Sequence, residues 1–265
     1  MMKYPFSRFW VLGILGIWLL SGCATDPSIK KQGEATRGLG EAYMAQRNYP
    51  SALKEFMEAE RLTPDDPYLH DDMGLAYMAK NRLDLAIEHF KKAIALKPGY
   101  APAINNLGTA YMTLQNWDAA IKCFNSITRD LLYATPYFPV TNLGLIYYQL
   151  QQYDVAVRYF EKALRMQPNF PPAVCGLSQT YLAQGKTPEA LALVESGIKS
   201  SPKSIELYSE LGKIYTASRN YDKAVAAYTK VVELGQASSP LVESAQRSLD
   251  TLKAGSIPGS AASNP

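Results

Sequence analysis

Five side chains carry all the thiol and imidazole chemistry of this sequence: Cys23, Cys123, Cys175, His70 and His89. A zinc site draws on Cys, His and carboxylates at short, repeated spacings, and no such spacing joins these residues. No glycine-rich loop is arranged to cradle a phosphate, and no serine or cysteine sits on a nucleophile elbow. The acidic pairs Asp65-Asp66 and Asp71-Asp72 could share a proton in acid–base work. They stand where helices begin, however, and there the helix macrodipole favours negative charge. The expectation is therefore no catalytic residue, no metal ligand and no enzyme. His70 is expected on a solvated helix face, and His89, next to Phe90, in a partly packed position.

Cys23 calls for its own reading. Lys3 and Arg8 precede FWVLGILGIWLL (Phe9 to Leu20), an apolar run of about a dozen residues. That length suits a secretory signal and falls short of the roughly 20 residues of a spanning helix. Leu20-Ser21-Gly22-Cys23 resembles the lipobox of bacterial lipoproteins. The resemblance implies removal of residues 1–22, lipidation of Cys23, and no cofactor beyond that covalent lipid. Ala24 stands where an Asp would imply retention in the inner membrane, so the resemblance implies the outer membrane, periplasmic face. Removing residues 1–22 takes Lys3 and Arg8 and no acid, leaving 25 basic against 24 acidic residues. A near-neutral chain has no electrostatic footprint for nucleic acid.

A repeat positions everything else. Gly40, Gly74, Gly108, Gly144, Ser178 and Gly212 are spaced 34, 34, 36, 34 and 34 residues apart. Three places after each comes a tyrosine: Tyr43, Tyr77, Tyr111, Tyr147, Tyr181 and Tyr215. Twelve places after each comes an alanine: Ala52, Ala86, Ala120, Ala156, Ala190 and Ala224. Four further on stand Phe56, Phe90, Phe124, Phe160, Val194 and Tyr228. Pro64, Pro98, Pro168 and Pro202 close four of the units. Each unit reads as two helices. Asp66 caps a first helix with Pro67 in its first turn, and Asp84, Asp118, Asp154 and Asp222 are placed to cap second helices. Pro50 and Pro188 take that place in the first and fifth units. The small residues mark a close helix crossing, and the aromatic ones fill the space beside it. Cys123 and Cys175 fall in different units with two helices between them. That is too far for an unstrained disulfide, so both are expected as small packed thiols.

This pattern resembles the tetratricopeptide repeat family. The resemblance implies an all-α, right-handed superhelical solenoid of six repeats over residues 33–236. It is preceded by a signal peptide (1–22) and a lipidated tether (23–32). A capping helix (237–253) covers the last open face, and a disordered tail (254–265) follows. The resemblance also implies a concave groove lined by the first helix of each unit. Transferred by position, that groove takes Met44, Tyr68, Leu75, Met78, Asn105, Thr109, Met112, Thr141, Leu145 and Tyr148. These side chains suit an apolar segment of a protein partner. Arg37 and Glu41 do not assemble the carboxylate clamp of the chaperone-binding members.

The lipobox, the six repeats and the two-residue expansion in "SITRDLLYATPYFPVTNLG" together resemble the pilotins, the lipoproteins of type IV pilus biogenesis. That resemblance implies an assembly factor that brings pilus secretin subunits to the outer membrane. It implies a membrane association by lipid anchor, and neither nucleic acid nor a small-molecule substrate. The alternative is a periplasmic adaptor that scaffolds cell-wall hydrolases or a protease.

Overall fold

The computed structural model describes residues 26–128 and 134–254, and every regular element in them is an α-helix. Six helix pairs follow one another: α1 (Pro27–Ala45) with α2 (Tyr49–Leu62), α3 (Pro67–Ala79) with α4 (Leu83–Leu96), and α5 (Ala101–Thr113) with α6 (Trp117–Ile127). Then come α7 (Tyr137–Gln149) with α8 (Tyr153–Met166), α9 (Pro171–Ala183) with α10 (Thr187–Ser200), and α11 (Ile205–Ala217) with α12 (Tyr221–Leu234). A thirteenth helix, α13 (Pro240–Lys253), ends the described chain. Cys23, the apolar run before it, part of the expansion (residues 129–133) and all of the tail after Ala254 lie outside the described residues.

The two kinds of helix differ because their surroundings differ. Second helices fully bury one stripe: α8 buries Ala156, Phe160 and Ala163, spaced four and three residues apart, with Val157, Tyr159 and Leu164 half-buried beside it. First helices bury more than one face, as α7 does with Val140, Thr141, Leu143, Gly144 and Ile146. The contact pattern explains this. The backbone of each odd-numbered helix comes close to that of the next odd-numbered helix as well as to its even-numbered neighbours, whereas the backbones of the even-numbered helices α2 to α12 stay apart and meet only through long side chains such as Lys92 and Glu60. Closely spaced first helices and splayed second helices curve the stack, with the first helices on the concave side.

Within five of the six pairs the crossing point is set by a residue with no side chain. A methyl group built on Gly108 would lie 2.7 Å from Phe124, and one on Gly144 would lie 2.7 Å from Phe160. Gly40, Gly74 and Gly212 meet Phe56, Phe90 and Tyr228 in the same way. The fifth unit keeps the sum of volumes by another route: Ser178 replaces the glycine, and the smaller Val194 replaces the aromatic ring. Both are fully buried.

The turns inside the pairs share one geometry. The residue at the second position after the first helix adopts a left-handed backbone: Arg47, Asn81, Gln115, Gln151 and Arg219 have φ of 56° to 58°, and Gly185 has 75°. The next amide then donates to the carbonyl of the repeated tyrosine, as Gln152 does to Tyr147 at 2.9 Å and Lys186 to Tyr181 at 2.8 Å. This Schellman closure satisfies a carbonyl that the ending helix would otherwise leave unpaired.

Capping departs from expectation in the second helices. Asp84, Asp118, Asp154 and Asp222 sit in the first turn and not at the cap, which is held by Arg82, Asn116, Gln152 and Asn220. The residue after the left-handed one is already the cap of the second helix, so each aspartate falls in the first turn, where it complements the macrodipole. Among them only Asn116 caps through its side chain, accepting from Ala119 N at 3.3 Å; Asn48 does the same for Ser51 N in the first unit. Asp66 does cap α3, accepting from Tyr68 N at 2.9 Å.

The front of the chain also differs. The first helix starts at Pro27 and takes in the last six residues of the stretch expected as tether, because Asp26 caps it by accepting from Ser28 N at 2.9 Å. The lysines and glutamine that follow are good helix formers. At the other end, α13 lays Val242, Ala245 and Leu249 over Ala224, Tyr228 and Val231 of α12. Among the described residues, no helix is long and apolar enough to cross a membrane.

Candidate protein-binding groove

The ten groove residues all fall on the concave-side helices: Met44 on α1, Tyr68, Leu75 and Met78 on α3, Asn105, Thr109 and Met112 on α5, and Thr141, Leu145 and Tyr148 on α7. Their exposure divides them. Tyr68 is exposed at 44%. Met44, Leu75, Met78, Asn105, Thr109, Met112, Leu145 and Tyr148 are half-buried, each giving one flank to the core beneath it. Thr141 is buried at 2%, and its hydroxyl donates to Tyr137 O at 2.7 Å. It therefore belongs to the core and presents nothing to a partner. Asp71, which the same transfer also puts at a groove position, is buried too, held by Asn106 Nδ2 at 2.9 Å, and burial raises its pKa.

A mostly apolar floor with a few polar atoms results. Leu75 and Met78 pack over the Ala86–Phe90 cluster, and Leu145 and Tyr148 over the Phe160 cluster. Thr109 spends its hydroxyl on the Asn105 carbonyl at 3.0 Å. The side-chain oxygen of Asn105 is buried and has no hydrogen-bond partner among the described residues. Such an acceptor costs about 1–3 kcal/mol until a donor reaches it.

At the front of the groove the chemistry changes from apolar to charged. A cleft of about 650 Å³ opens between α1 and the turn into α3, lined by Lys30, Glu34, Arg37, Thr63, Asp66 and Tyr68, among others. Arg37 is its centre. Its guanidinium donates to Asp66 at 2.9 Å and to Glu41 at 3.0 Å, and lies 3.6 Å from Asp72. Three carboxylates consume one cation, so Arg37 is not free to grip a partner's carboxylate, in keeping with the missing clamp. The excess negative charge has a consequence. Burial first, then Glu41 and Asp71, push the Asp72 carboxyl up to about 7 against the pull of Arg37. Tyr68 completes the mouth: Lys97 donates to its hydroxyl at 2.7 Å, and its ring meets Tyr100 edge-on at 5.3 Å.

Three family models described as tetratricopeptide or TPR repeats match residues 30–67, 74–115, and 147–204 with 182–249, which together exceed half of the chain. The chain is a tetratricopeptide repeat protein. Proteins of this family are protein-interaction modules. Solved structures agree on the architecture of this repeat protein. PilW, described as a widely conserved type IV pilus biogenesis factor, is 22% identical with a TM-score of 0.67, the match covering 81% of this chain and 98% of PilW. PilF of Pseudomonas aeruginosa is 19% identical with a TM-score of 0.65, covering 83% of this chain and 99% of PilF. A tetratricopeptide repeat protein from Parabacteroides merdae reaches 0.71 at 19% identity, covering 83% and 84%. No curated protein is a significant sequence match to the chain.

The two cysteines and two histidines separate in fate. Cys123 and Cys175 are free, half-buried thiols, and burial pushes the Cys175 thiol up to about 12, which keeps it protonated and unreactive. His89 is half-buried as expected. His70 is not solvated: it is 0% exposed, and its Nε2 lies 2.8 Å from Pro64 O while its Nδ1 lies 3.1 Å from His89 Nδ1. Glu60 of α2 reaches the same place, with Oε1 3.9 Å from His70 Nδ1. Sequence spacing held no signal for this convergence, because Glu60 belongs to the preceding repeat.

Proposed function

We propose that this tetratricopeptide repeat protein is an outer-membrane lipoprotein, anchored through Cys23 on the periplasmic face, whose groove binds pilus secretin subunits and promotes their assembly. The observation that carries the reading is the end-to-end match with two proteins of type IV pilus biogenesis, each covered over 98% or more of its length by this chain. The lipobox around Cys23 supports the anchor. Several acyl chains give a stable attachment where one would be marginal. A tethered groove raises the effective concentration of captured subunits at the membrane, so that they meet one another. The apolar floor of Leu75, Met78, Leu145 and Tyr148 suits an apolar partner segment.

The test is a pull-down from detergent-solubilised envelope with the wild-type chain and a Met78→Glu/Leu145→Glu variant, read by mass spectrometry, with circular dichroism to show that the variant folds. Recovery of a secretin by the wild type and its loss in the variant supports both the function and the groove. Recovery of cell-wall hydrolases or a protease in its place assigns the adaptor role. Secretin retained by the folded variant keeps the function and moves the binding site elsewhere.

A further inference from the structure

Glu60, His70 and His89 meet between the helix layers, away from the groove and from any role given above. Glu60 comes from α2, His70 from α3 and His89 from α4, and one donor atom from each lies within 4.8 Å of the others. The His70 and His89 rings approach head to head. Their centroids are 5.3 Å apart at 25°, and their Nδ1 atoms 3.1 Å apart, so the two nitrogens lie near the line joining the rings. A carbonyl oxygen can only accept, so His70 Nε2, 2.8 Å from Pro64 O, must carry the proton of the neutral ring. The buried Nδ1 of His70 is then a lone pair aimed at His89 and fixed there by the backbone. A backbone carbonyl that sets the tautomer in this way is the usual second partner of a metal-bound histidine.

From this geometry we propose that Glu60, His70 and His89 form a binding site for a divalent transition-metal ion of the zinc class, which ties the first repeat to the second. Zinc takes imidazole nitrogens at about 2.0–2.1 Å and carboxylate oxygens at about 2.0–2.2 Å, which sets tetrahedral donors about 3.3 Å apart. The two nitrogens stand 3.1 Å apart but face each other, so the rings must tilt in their planes by roughly 40° for both lone pairs to meet one ion, and the Glu60 oxygen, 3.9 Å from His70 Nδ1, must close on it by about 0.6 Å. As the rings stand, His89 donates its Nδ1 proton to His70. Binding moves that proton to His89 Nε2, a change of tautomer without change of charge, and water completes the coordination. The charged neighbours are Glu88 and Lys92 on α4. The Lys92 ammonium lies 3.2 Å from Glu60 Oε1 and competes with the ion for that carboxylate. Tyr77, stacked on His89 at 5.3 Å, fixes the plane of that ring.

The test is a zinc titration of the detergent-purified, EDTA-treated full chain by calorimetry, with thermal unfolding and cobalt(II) absorption as further readouts. The expected result is one saturable ion per chain, a higher unfolding temperature reversed by EDTA, and a cobalt spectrum of nitrogen and oxygen ligands. His89→Gln keeps a donor toward His70 Nδ1 and therefore folds, and it weakens binding at least about tenfold, the lower end of losses seen even for supporting residues. Glu60→Gln weakens it likewise, and Lys92→Ala, by freeing Glu60, tightens it. Three results would overturn the site: no zinc bound by the wild type, binding that survives in both ligand variants, or a thiolate-to-cobalt charge-transfer band, which would move the ion to a cysteine.

Discussion

At the scale of single residues, Asp72 is where the molecule responds to pH. Its folded carboxyl titrates at about 7, against 3.8 for an unhindered aspartate. Between those values the folded protein holds a proton that the unfolded chain has released. The stability due to that proton is complete below the unfolded value and is lost as pH rises through 7. Asp72→Asn, which carries no charge to desolvate, should be more stable than wild type at pH 8 by at least about 1 kcal/mol, and the gap should close at pH 4. Urea denaturation at the two pH values checks this; an equal gap at both would show that Asp72 is ionised in the folded state throughout. Gly108 tests the crossing point. A methyl group there lies 2.7 Å from Phe124, a ring with no free space to yield, so Gly108→Ala should destabilise by about 1–3 kcal/mol despite alanine's better helix propensity. A rise in thermal midpoint would refute the packing account.

At the scale of elements, the turns are suboptimal in a way that can be measured. Gln151 adopts φ of 57°, a left-handed backbone that a side chain makes costly, where the fifth unit uses Gly185. Gln151→Gly should stabilise by up to about 1 kcal/mol, and Gly185→Ala should cost a similar amount. Thermal melts of the two variants give the comparison, and shifts of the same sign would contradict it. The capping helix is the other element with a clear energetic role. A chain that stops at Gln236 leaves Ala224, Tyr228 and Val231 without cover and loses the burial of Val242 and Leu249, each worth about 1.5–3 kcal/mol. It should melt earlier and bind a hydrophobic dye; an unchanged melt would mean that the sixth repeat is stable alone.

At the scale of the whole molecule, the solenoid is a row of nearest-neighbour contacts, and the lipid proposed on Cys23 would be an independent attachment. Cys23→Ser should therefore leave helicity and unfolding of the chain unchanged while releasing it from the membrane fraction. Secretin multimers in the outer membrane should fall with it. Fractionation with immunoblotting follows both, and multimers at wild-type level would count against the tethered-assembly mechanism.

The sequence alone determined the repeat, the helix pairs and the small-to-aromatic crossing. These depend on spacing along the chain, which periodicity records directly. Tertiary structure alone decided which polar atoms are already spent. Thr141 and Asp71 are at groove positions by count, yet they are buried and hydrogen-bonded to Tyr137 and Asn106. Arg37 draws Glu41, Asp66 and Asp72 around one cation, and Glu60 joins His70 and His89 from the preceding repeat. Each of these depends on distance between helices of neighbouring repeats. A 34-residue period fixes which helices are neighbours, but the angle at which one unit stacks on the next determines which side chains meet.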